Sequence, residues 1–207
     1  MLGLCYLKGN GVEDSSEEKA AEWFRKAAEK GNADAMFCLG HCYADGYGVE
    51  KDNNEAVKWF RKAAEKGNTE AMLQLGECYF FGRGVEKNRE EVEKWFRKAD
   101  NGNDNALYRF YRETAELQIR GIADALQQYK FDVGTYPSDL QCLMENLDQS
   151  EKWDGPYIKP NVPLDPWEHE YQYLYPGKHY EFDLYSFCAD GQEGGEDENA
   201  DLIYREF

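Results

Sequence analysis

Apolar side chains in the first half of the chain recur at a fixed interval of 36 residues. The run Ala35–Gly40 (AMFCLG) returns as Ala71–Gly76 (AMLQLG). The run Trp23–Ala28 (WFRKAA) returns at Trp59–Ala64 and, less perfectly, at Trp95–Asp100. A period of this size is typical of stacked helical hairpins that bury their apolar faces against neighbouring repeats. We therefore predict an α-helical solenoid over residues 1–105.

Turn and cap signals separate the helices of this array. A Gly-x-Gly turn follows the first helix of each hairpin, at Gly9–Gly11, Gly46–Gly48 and Gly82–Gly84. Glycine adopts the unusual dihedrals that such turns need. Each turn is followed by an N-cap residue with a glutamate three positions later, which predicts capping boxes at Ser15/Glu18, Asp52/Glu55 and Asn88/Glu91.

The second half of the chain has a different pattern. Apolar residues at three- and four-residue steps predict one helix from Ala106 to Tyr129; they are Leu107, Phe110, Tyr111, Ala115, Ile119, Ile122, Ala123, Leu126 and Tyr129. After Gly134, prolines separate short aromatic segments, and Glu170–Leu174 and Phe182–Phe187 are expected to pair as antiparallel strands. We predict an α+β domain over residues 106–207. Its long helix, about 106–130, packs on a small antiparallel sheet, and residues 131–207 hold the sheet and an acidic loop.

Charge excludes some functions and divides the chain. The net charge is −17, with −4 in residues 1–105 and −13 in residues 106–207. Such an acidic chain does not suit nucleic acid, whose phosphates attract Lys and Arg. The longest apolar runs fall short of the roughly 18–20 residues that span a membrane. Met1–Tyr6 is not a signal peptide, because Lys8 and a polar turn follow at once. We expect that an upstream export signal was removed, and the sequence favours an extracytoplasmic location, periplasmic or secreted.

A loop near the end of the chain concentrates negative charge. Between positions 190 and 201 there are six carboxylates and no base: Asp190, Glu193, Glu196, Asp197, Glu198 and Asp201. Gly191, Gly194 and Gly195 allow this segment to fold tightly. Two interpretations fit the pattern, a site for a hard cation such as calcium and a solvated acidic tail.

Evidence for an enzyme is lacking in the sequence. The chain has no recognisable Ser/His/Asp or Cys/His constellation, phosphate loop or zinc-ligand spacing. Cys5, Cys42 and Cys78 occupy equivalent repeat positions, which indicates small core residues. Asp165 and Asp183 are candidates for acid–base work, but aspartate at turns is more often structural. We therefore expect a non-enzymatic protein and keep an uncharacterised enzyme as an alternative.

The repeat pattern resembles the Sel1-like repeat, a relative of the tetratricopeptide repeat. The resemblance is carried by Ala-x-x-x-Leu-Gly, Tyr-x-x-Gly-x-Gly-Val and Ala-x-x-Trp-Phe-x-x-Ala-Ala-x-x-Gly, over residues 1 to about 105. It implies a solenoid that serves as a protein-interaction scaffold. We accordingly expect a protein partner on the solenoid surface.

Residues from about Ala115 to Ile203 resemble the major pseudopilins of type II secretion. The shared motifs, in the family's order, are Tyr129–Pro137 (YKFDVGTYP), Gly155–Lys159 (GPYIK), Leu164–Trp167 (LDPW), Tyr171–Tyr173 (YQY), Phe182–Ser186 (FDLYS) and Ala189–Glu196 (ADGQEGGE). One turn departs from the family. Glu168–Glu170 (EHE) stands where the family favours Gly-Asn-Pro; we interpret it as an exposed polar turn and keep His169 as an additional metal candidate.

This second resemblance implies a calcium ion in the acidic loop. By position, the ligands are the carboxylates of Asp190 and Asp197 and the backbone carbonyls of Phe187, Gln192 and Gly195, with Asp201 as a reserve ligand. In that family the ion is needed for folding and assembly. The sequence thus predicts a non-enzymatic scaffold with a calcium-stabilised pseudopilin-like module. The alternative is a soluble accessory or minor component of a type II secretion or pilus-like system, with pseudopilins among its partners.

Overall fold

The computed structural model describes residues 17–195 and 200–204, and the chain divides into two compact units, Met1–Leu107 and Tyr108–Phe207. In the described part of the first unit there are five α-helices: α1 Glu17–Glu29, α2 Ala33–Asp45, α3 Asn53–Glu65, α4 Thr69–Phe81 and α5 Arg89–Ala99. Each helix packs against the next one along the chain. The predicted helical solenoid is confirmed.

Glycines within α2 and α4 allow an aromatic ring to lie directly against the helix backbone. A Cβ atom built on Gly40 would lie 2.5 Å from the ring of Phe60, and one on Gly76 would lie 2.6 Å from the ring of Phe96. Both rings are buried. Since the two pairs are 36 positions apart, successive repeats are packed by the same contact.

In the two Gly-x-Gly turns that the structure describes, the second glycine lies on the backbone at the start of an earlier helix. A Cβ atom on Gly48 would lie 2.1 Å from the carbonyl oxygen of Glu17, and one on Gly84 would lie 2.2 Å from that of Asn53. Any side chain at these positions would collide with backbone. The turn after α2 is therefore stacked on the start of α1, and the turn after α4 on the start of α3.

The N-caps form as predicted, but the reciprocal half of the capping box does not. Asp52 Oδ1 accepts hydrogen bonds from the N–H groups of Asn54 at 2.8 Å and Glu55 at 3.1 Å. The Glu55 carboxylate pairs with Lys58 instead of returning to the cap. The Asp52 N–H is already satisfied, because it donates to the carbonyl of Tyr43 at 2.8 Å. A glutamate bond to that N–H is thus unnecessary.

The same arrangement recurs in the next repeat. Asn88 Oδ1 accepts from the Glu91 N–H at 3.0 Å, while Glu91 pairs with Lys94 at 2.7 Å. Two further predictions, Ser15 as a helix cap and Cys5 as a core residue, concern positions outside the described residues.

The second unit combines one long helix with a small sheet. In its described part there are α6 Asn105–Val133, a 3₁₀ turn Leu140–Leu143, and the strands β1 Gln172–Leu174, β2 Asp183–Ser186 and β3 Leu202–Ile203. The sheet is antiparallel in the order β1-β2-β3, with Tyr173 opposite Leu184 and Tyr185 opposite Ile203. No helix in the described ranges is long and apolar enough to cross a membrane.

The helix and the strands differ from their predicted bounds. The helix continues to Val133 because the first breaker is Gly134, which has a φ of 99° and donates its N–H to the Lys130 carbonyl at 2.8 Å. Leu107 and Phe110, predicted for its apolar stripe, are only partly buried. Strands β1 and β2 are shorter than predicted. Strand β3 was not predicted, because two residues are too few to form an alternating pattern.

The core of this unit lies between α6 and the sheet. Its central side chains are each at most 1% exposed: Ile122, Leu126, Tyr129, Phe182 and Leu184. They belong to one hydrophobic cluster. The predicted α+β architecture, one long helix packed on a small antiparallel sheet, is confirmed.

Candidate functional site

A buried carboxylate organises the turn in front of the acidic loop. Asp165 Oδ1 accepts hydrogen bonds from the N–H groups of Trp167 at 3.0 Å and His169 at 2.8 Å. Its Oδ2 accepts from the Ser186 hydroxyl at 2.6 Å. Asp165 is buried, so these donors replace the water that the charge has lost. The same carboxylate thus joins the 165–169 turn to the end of β2.

Cys188 continues this network and connects the two ends of the acidic loop. Its N–H donates to Ser186 Oγ at 3.0 Å, and its Sγ–H donates to the carbonyl of Ala200 at 3.3 Å. The residue is fully buried and has a φ of 52°, a conformation that non-glycine residues rarely adopt. Burial is also the main reason that the pKa of its thiol is raised. Cys188 is therefore a structural residue that closes the loop at its base.

His169 contacts the loop from the preceding turn. Its Nδ1 lies 2.9 Å from the carbonyl oxygen of Cys188. A carbonyl oxygen only accepts, so Nδ1 carries the proton. The ring also covers Gly191, because a Cβ atom there would lie 3.0 Å from the ring atoms Cε1 and Nε2. In this additional metal candidate, Nδ1 is therefore already hydrogen-bonded within the protein.

The predicted ligands Asp190 and Asp201 stand at the two ends of the acidic loop. Asp190 is exposed, and its Oδ1 accepts from the Gln192 N–H at 3.1 Å. Asp201 is partly buried, and its Oδ2 accepts from the Gly194 N–H at 2.9 Å. The three loop glycines have positive φ, as the predicted tight fold requires: Gly191 at 65°, Gly194 at 101° and Gly195 at 92°.

The other predicted ligands lie on the same segment or outside the described residues. Phe187 is partly buried, with its ring 5.3 Å from that of Tyr185, whereas Gln192 and Gly195 are exposed. Asp197 lies outside the described residues. Within 17–195 and 200–204, no three His, Cys, Asp or Glu side chains are grouped to share a metal ion. The ligand set as a whole therefore stays a prediction.

One oxygen atom of the loop suits a cation. Asp201 Oδ1 is buried and has no hydrogen-bond partner, a state shared by no other buried side-chain oxygen or nitrogen in the described ranges. A buried carboxylate oxygen without a donor is costly. Oxygen donors of this kind are the ligands that calcium takes. On this observation, the residues present fit a hard cation.

The negative charge of the loop reaches the sheet. The pKa of Tyr185 is raised, first by burial and then by the charges of Glu193, Asp183 and Asp201. Two of these three carboxylates belong to the acidic loop. Each of these carboxylates disfavours ionisation of the Tyr185 hydroxyl. A bound cation would therefore reduce the negative potential around the loop.

The carboxylates considered for acid–base chemistry hold backbone turns. Asp165 accepts the three bonds described above. Asp183 is buried and accepts from the N–H groups of Lys178 at 2.6 Å and His179 at 3.4 Å. Both side chains therefore have the structural role that aspartate commonly has at turns.

A second candidate surface lies on the solenoid, where α2 and α4 differ. The buried positions Ala35, Met36, Leu39, Gly40 and Cys42 are identical in the next repeat, 36 residues later. Two partly buried positions beside them differ: Cys38 is replaced by Gln74, and His41 by Glu77. Three of these four residues, His41, Gln74 and Glu77, line a groove of about 220 Å³, and its other polar lining residues include Asp45 and Arg83.

Glu77 places a partly buried carboxylate in this groove. Burial raises its pKa, although Gln74, Arg83 and His41 oppose that shift. The Gln74 Nε2–H group donates to its Oε2 at 3.1 Å. A desolvated carboxylate of this kind gains stability from a cationic neighbour. Periodicity could not reveal this groove, since its polar lining residues are those that break the repeat.

Comparison with known proteins identifies both halves. Residues 106–205 match the family model "Type II secretion system (T2SS), protein G", and residues 1–32, 33–68 and 69–101 match the Sel1 repeat model. The type II secretion system core protein G of Aeromonas hydrophila is 31% identical over 103 residues, which cover 46% of this chain and 71% of that protein. The chain belongs to the type II secretion system protein G family. In this member, a Sel1 repeat array precedes the protein G domain.

Other relatives are similar over the same half. The core protein G of Pseudomonas aeruginosa is 43% identical over 94 residues, covering 42% of this chain and 66% of that protein. The core protein G of Vibrio cholerae is 38% identical over 97 residues, covering 44% and 66%. The chain thus spans slightly less than two thirds of the length of these two relatives. Protein G domains and Sel1 repeats are structural and interaction modules rather than enzymes.

Two solved structures are similar to parts of this chain. A Sel1 repeat protein from Oxalobacter formigenes has 35% identity and a TM-score of 0.49, covering 64% of this chain and 57% of that one. The major pseudopilin of the type 2 secretion system of enterohaemorrhagic Escherichia coli has 26% identity and a TM-score of 0.38, covering 46% and 86%.

Proposed function

We propose that this protein G family member is a non-enzymatic scaffold. Its Sel1 array recruits a partner protein, and its protein G domain is a calcium-stabilised pseudopilin-like module. The observation that carries the proposal is the presence, in one chain, of an interaction array and a domain related to a secretion pseudopilin. The array supplies binding, and the domain supplies the link to a secretion assembly.

The calcium part of the proposal rests on the acidic loop. The ion would be held by the carboxylates of Asp190, Asp197 and Asp201 and by the carbonyls of Phe187, Gln192 and Gly195. It would neutralise the repulsion within the loop and satisfy the buried Asp201 Oδ1. Binding to the folded state alone adds about 2.7 kcal/mol of stability when free calcium exceeds the dissociation constant a hundredfold.

Thermal unfolding of the full chain tests this role. We expect EDTA to lower the melting temperature of the second unit and added calcium to restore it, because only the folded loop gathers the ligands. Asp190→Ala should abolish the response. Glu151→Ala, which removes an exposed carboxylate elsewhere in the same unit, is the matched control and should keep it. A melting curve of the wild-type protein that EDTA leaves unchanged would contradict the calcium site.

The partner surface that we propose is the groove between α2 and α4. Its differing residues give this array a surface that a regular repeat would lack. The desolvated carboxylate of Glu77 favours a partner that presents a basic side chain. The net charge of −17 would further speed association with such a partner.

A second candidate function is a soluble accessory or minor component of a type II secretion system, and the names of the protein G relatives favour it. A pull-down between the full chain and a purified type II secretion major pseudopilin tests this role. We expect the pseudopilin to be recovered. If the protein G domain makes the contact, Glu77→Gln should recover as much pseudopilin as the wild type. If the groove makes it, Glu77→Gln should recover clearly less. Glu65→Gln, an exposed carboxylate on α3, is the control. Recovery of no pseudopilin would count against the accessory role.

A further inference from the structure

Cys188 holds an unusual conformation at the entrance of the acidic loop. It lies between Phe187, whose carbonyl is a proposed calcium ligand, and the segment that leads to Asp190. Its φ of 52° is one that a residue with a side chain adopts only when its surroundings enforce it. The chain direction into the loop therefore depends on the groups that hold this one peptide.

Two of those groups are themselves anchored by the same carboxylate. Ser186 Oγ accepts from the Cys188 N–H at 3.0 Å, and His169 Nδ1–H donates to the Cys188 carbonyl at 2.9 Å. Asp165 accepts from the Ser186 hydroxyl at 2.6 Å and from the His169 N–H at 2.8 Å. The N–H and the carbonyl of Cys188 are thus both held, through Ser186 and His169, by the buried carboxylate of Asp165.

The His169 ring restrains the loop a second time, at Gly191. The space above this glycine is filled by the ring, since a Cβ atom would lie 3.0 Å from Cε1 and Nε2. His169 thereby contacts the loop on both sides of Asp190, at positions 188 and 191. A side chain in this place sets the direction in which the Asp190 carboxylate leaves the backbone.

We infer that His169 is a positioning residue for the proposed calcium site. It acts through Cys188 and Gly191 and does not itself ligate the ion. The inference rests on the proposed calcium site and adds to it a residue from a separate turn. Residues that orient metal ligands without touching the metal commonly change affinity by about 10- to 100-fold when they are replaced.

Calcium titration of the full chain by isothermal calorimetry tests the inference. The variants are His169→Ala, which removes the ring, and His169→Asn, whose side-chain amide retains a donor close to the Nδ1 position. His179→Ala, an exposed histidine in the hairpin turn of the same unit, is the matched control. We expect His169→Ala to weaken calcium binding about tenfold, with binding largely restored in His169→Asn and unchanged in His179→Ala.

Melting of the same variants in EDTA separates positioning from general stabilisation. A positioning role predicts that His169→Ala lowers the calcium-induced rise in melting temperature more than it lowers the melting temperature in EDTA. Wild-type affinity in His169→Ala, or an equal loss in both conditions, would overturn the inference and leave the calcium site standing. A wild-type chain that binds no calcium would overturn both.

If His169→Ala does not fold, Gly191→Ala provides the second test. Its added methyl group presses on the ring, which must shift by a few tenths of an ångström, and strains the backbone at a φ of 65°, while the Nδ1–H donor remains in the chain. We expect it to weaken calcium binding as well, and unchanged affinity in this variant would contradict the role of the ring.

Discussion

The repeat array and the protein G domain are each stabilised internally by a different kind of contact. In the array, one contact type serves repeatedly, as in the pairs Gly40–Phe60 and Gly76–Phe96. In the protein G domain, each contact occurs once, and the network centred on Asp165 joins segments about 20 residues apart. The array should therefore respond to damage locally, whereas the domain should respond as a whole. Two equally buried side chains can therefore differ in how far through the structure the effect of removing them spreads.

The largest expected effect comes from replacing one buried phenylalanine in each half with alanine. Phe60 and Phe182 are both 1% exposed, so replacement by alanine should cost about 3–5 kcal/mol in either place. Hydrogen exchange should show the difference in reach. Loss of protection should stay near α2–α4 in Phe60→Ala and spread over α6 and the sheet in Phe182→Ala. A similar spread in both variants would remove the distinction between the halves.

A smaller effect should separate two aspartates that both accept backbone N–H groups. Asp52→Ala removes an ordinary helix cap and should cost about 1 kcal/mol. Asp165→Ala leaves three donors without an acceptor in a buried place and should cost about 3 kcal/mol. Urea denaturation monitored separately for each unit gives both values. Equal costs would mean that the Asp165 network contributes no more than a cap.

Glycine-to-alanine changes should differ in sign between the halves. Gly121 in α6 has open space beside it, so alanine there should stabilise the protein by about 0.5–1 kcal/mol. At Gly40 the same methyl group would meet the Phe60 ring, and overpacking should cost about 1–3 kcal/mol. Thermal melts of the two single variants test this contrast. Stabilisation by Gly40→Ala would show that the ring can move aside at little cost.

The smallest expected effect is a pH dependence of the array. Burial raises the pKa of Cys42 and of Cys78 from the ordinary thiol value of 9.0 to about 11. Because the folded state retains the proton more tightly, the contribution of each thiol is complete below the unfolded pKa. It is lost as pH rises towards 11. The stability of the wild-type array should thus fall more between about pH 9 and 11 than that of Cys42→Ala. Parallel curves for the two proteins would contradict the shift at Cys42.

Repetition decided how much of the fold could be predicted. The array and α6 were predictable because their apolar positions recur at helical spacing over many residues. β1 and β2 were found through their aromatic alternation, with bounds that were too generous. β3 could not be found, since Leu202 and Ile203 form no pattern and depend on pairing with Tyr185 and Ser186.

The candidate site was predictable only in part. The density of carboxylates drew attention to the loop, and the resemblance to pseudopilins proposed its ligands. The bonds among Asp165, Ser186 and Cys188 carry no periodic signal, because they join distant parts of the chain through single atoms. The Asp165–Pro166 pair does mark a turn, and that signal could have pointed to Asp165 as its organiser.

The contact between Gly48 and the Glu17 carbonyl, repeated by Gly84 and Asn53, also has an evolutionary meaning. Because the joint between neighbouring repeats is the same each time, removing residues 33–68 would place Gly84 against the Glu17 carbonyl, a contact equivalent to the two that exist in the natural protein. Duplication of that segment would do likewise. Gene rearrangement can therefore lengthen or shorten this array in whole modules without the invention of a new interface, while the domain that follows it must be inherited intact.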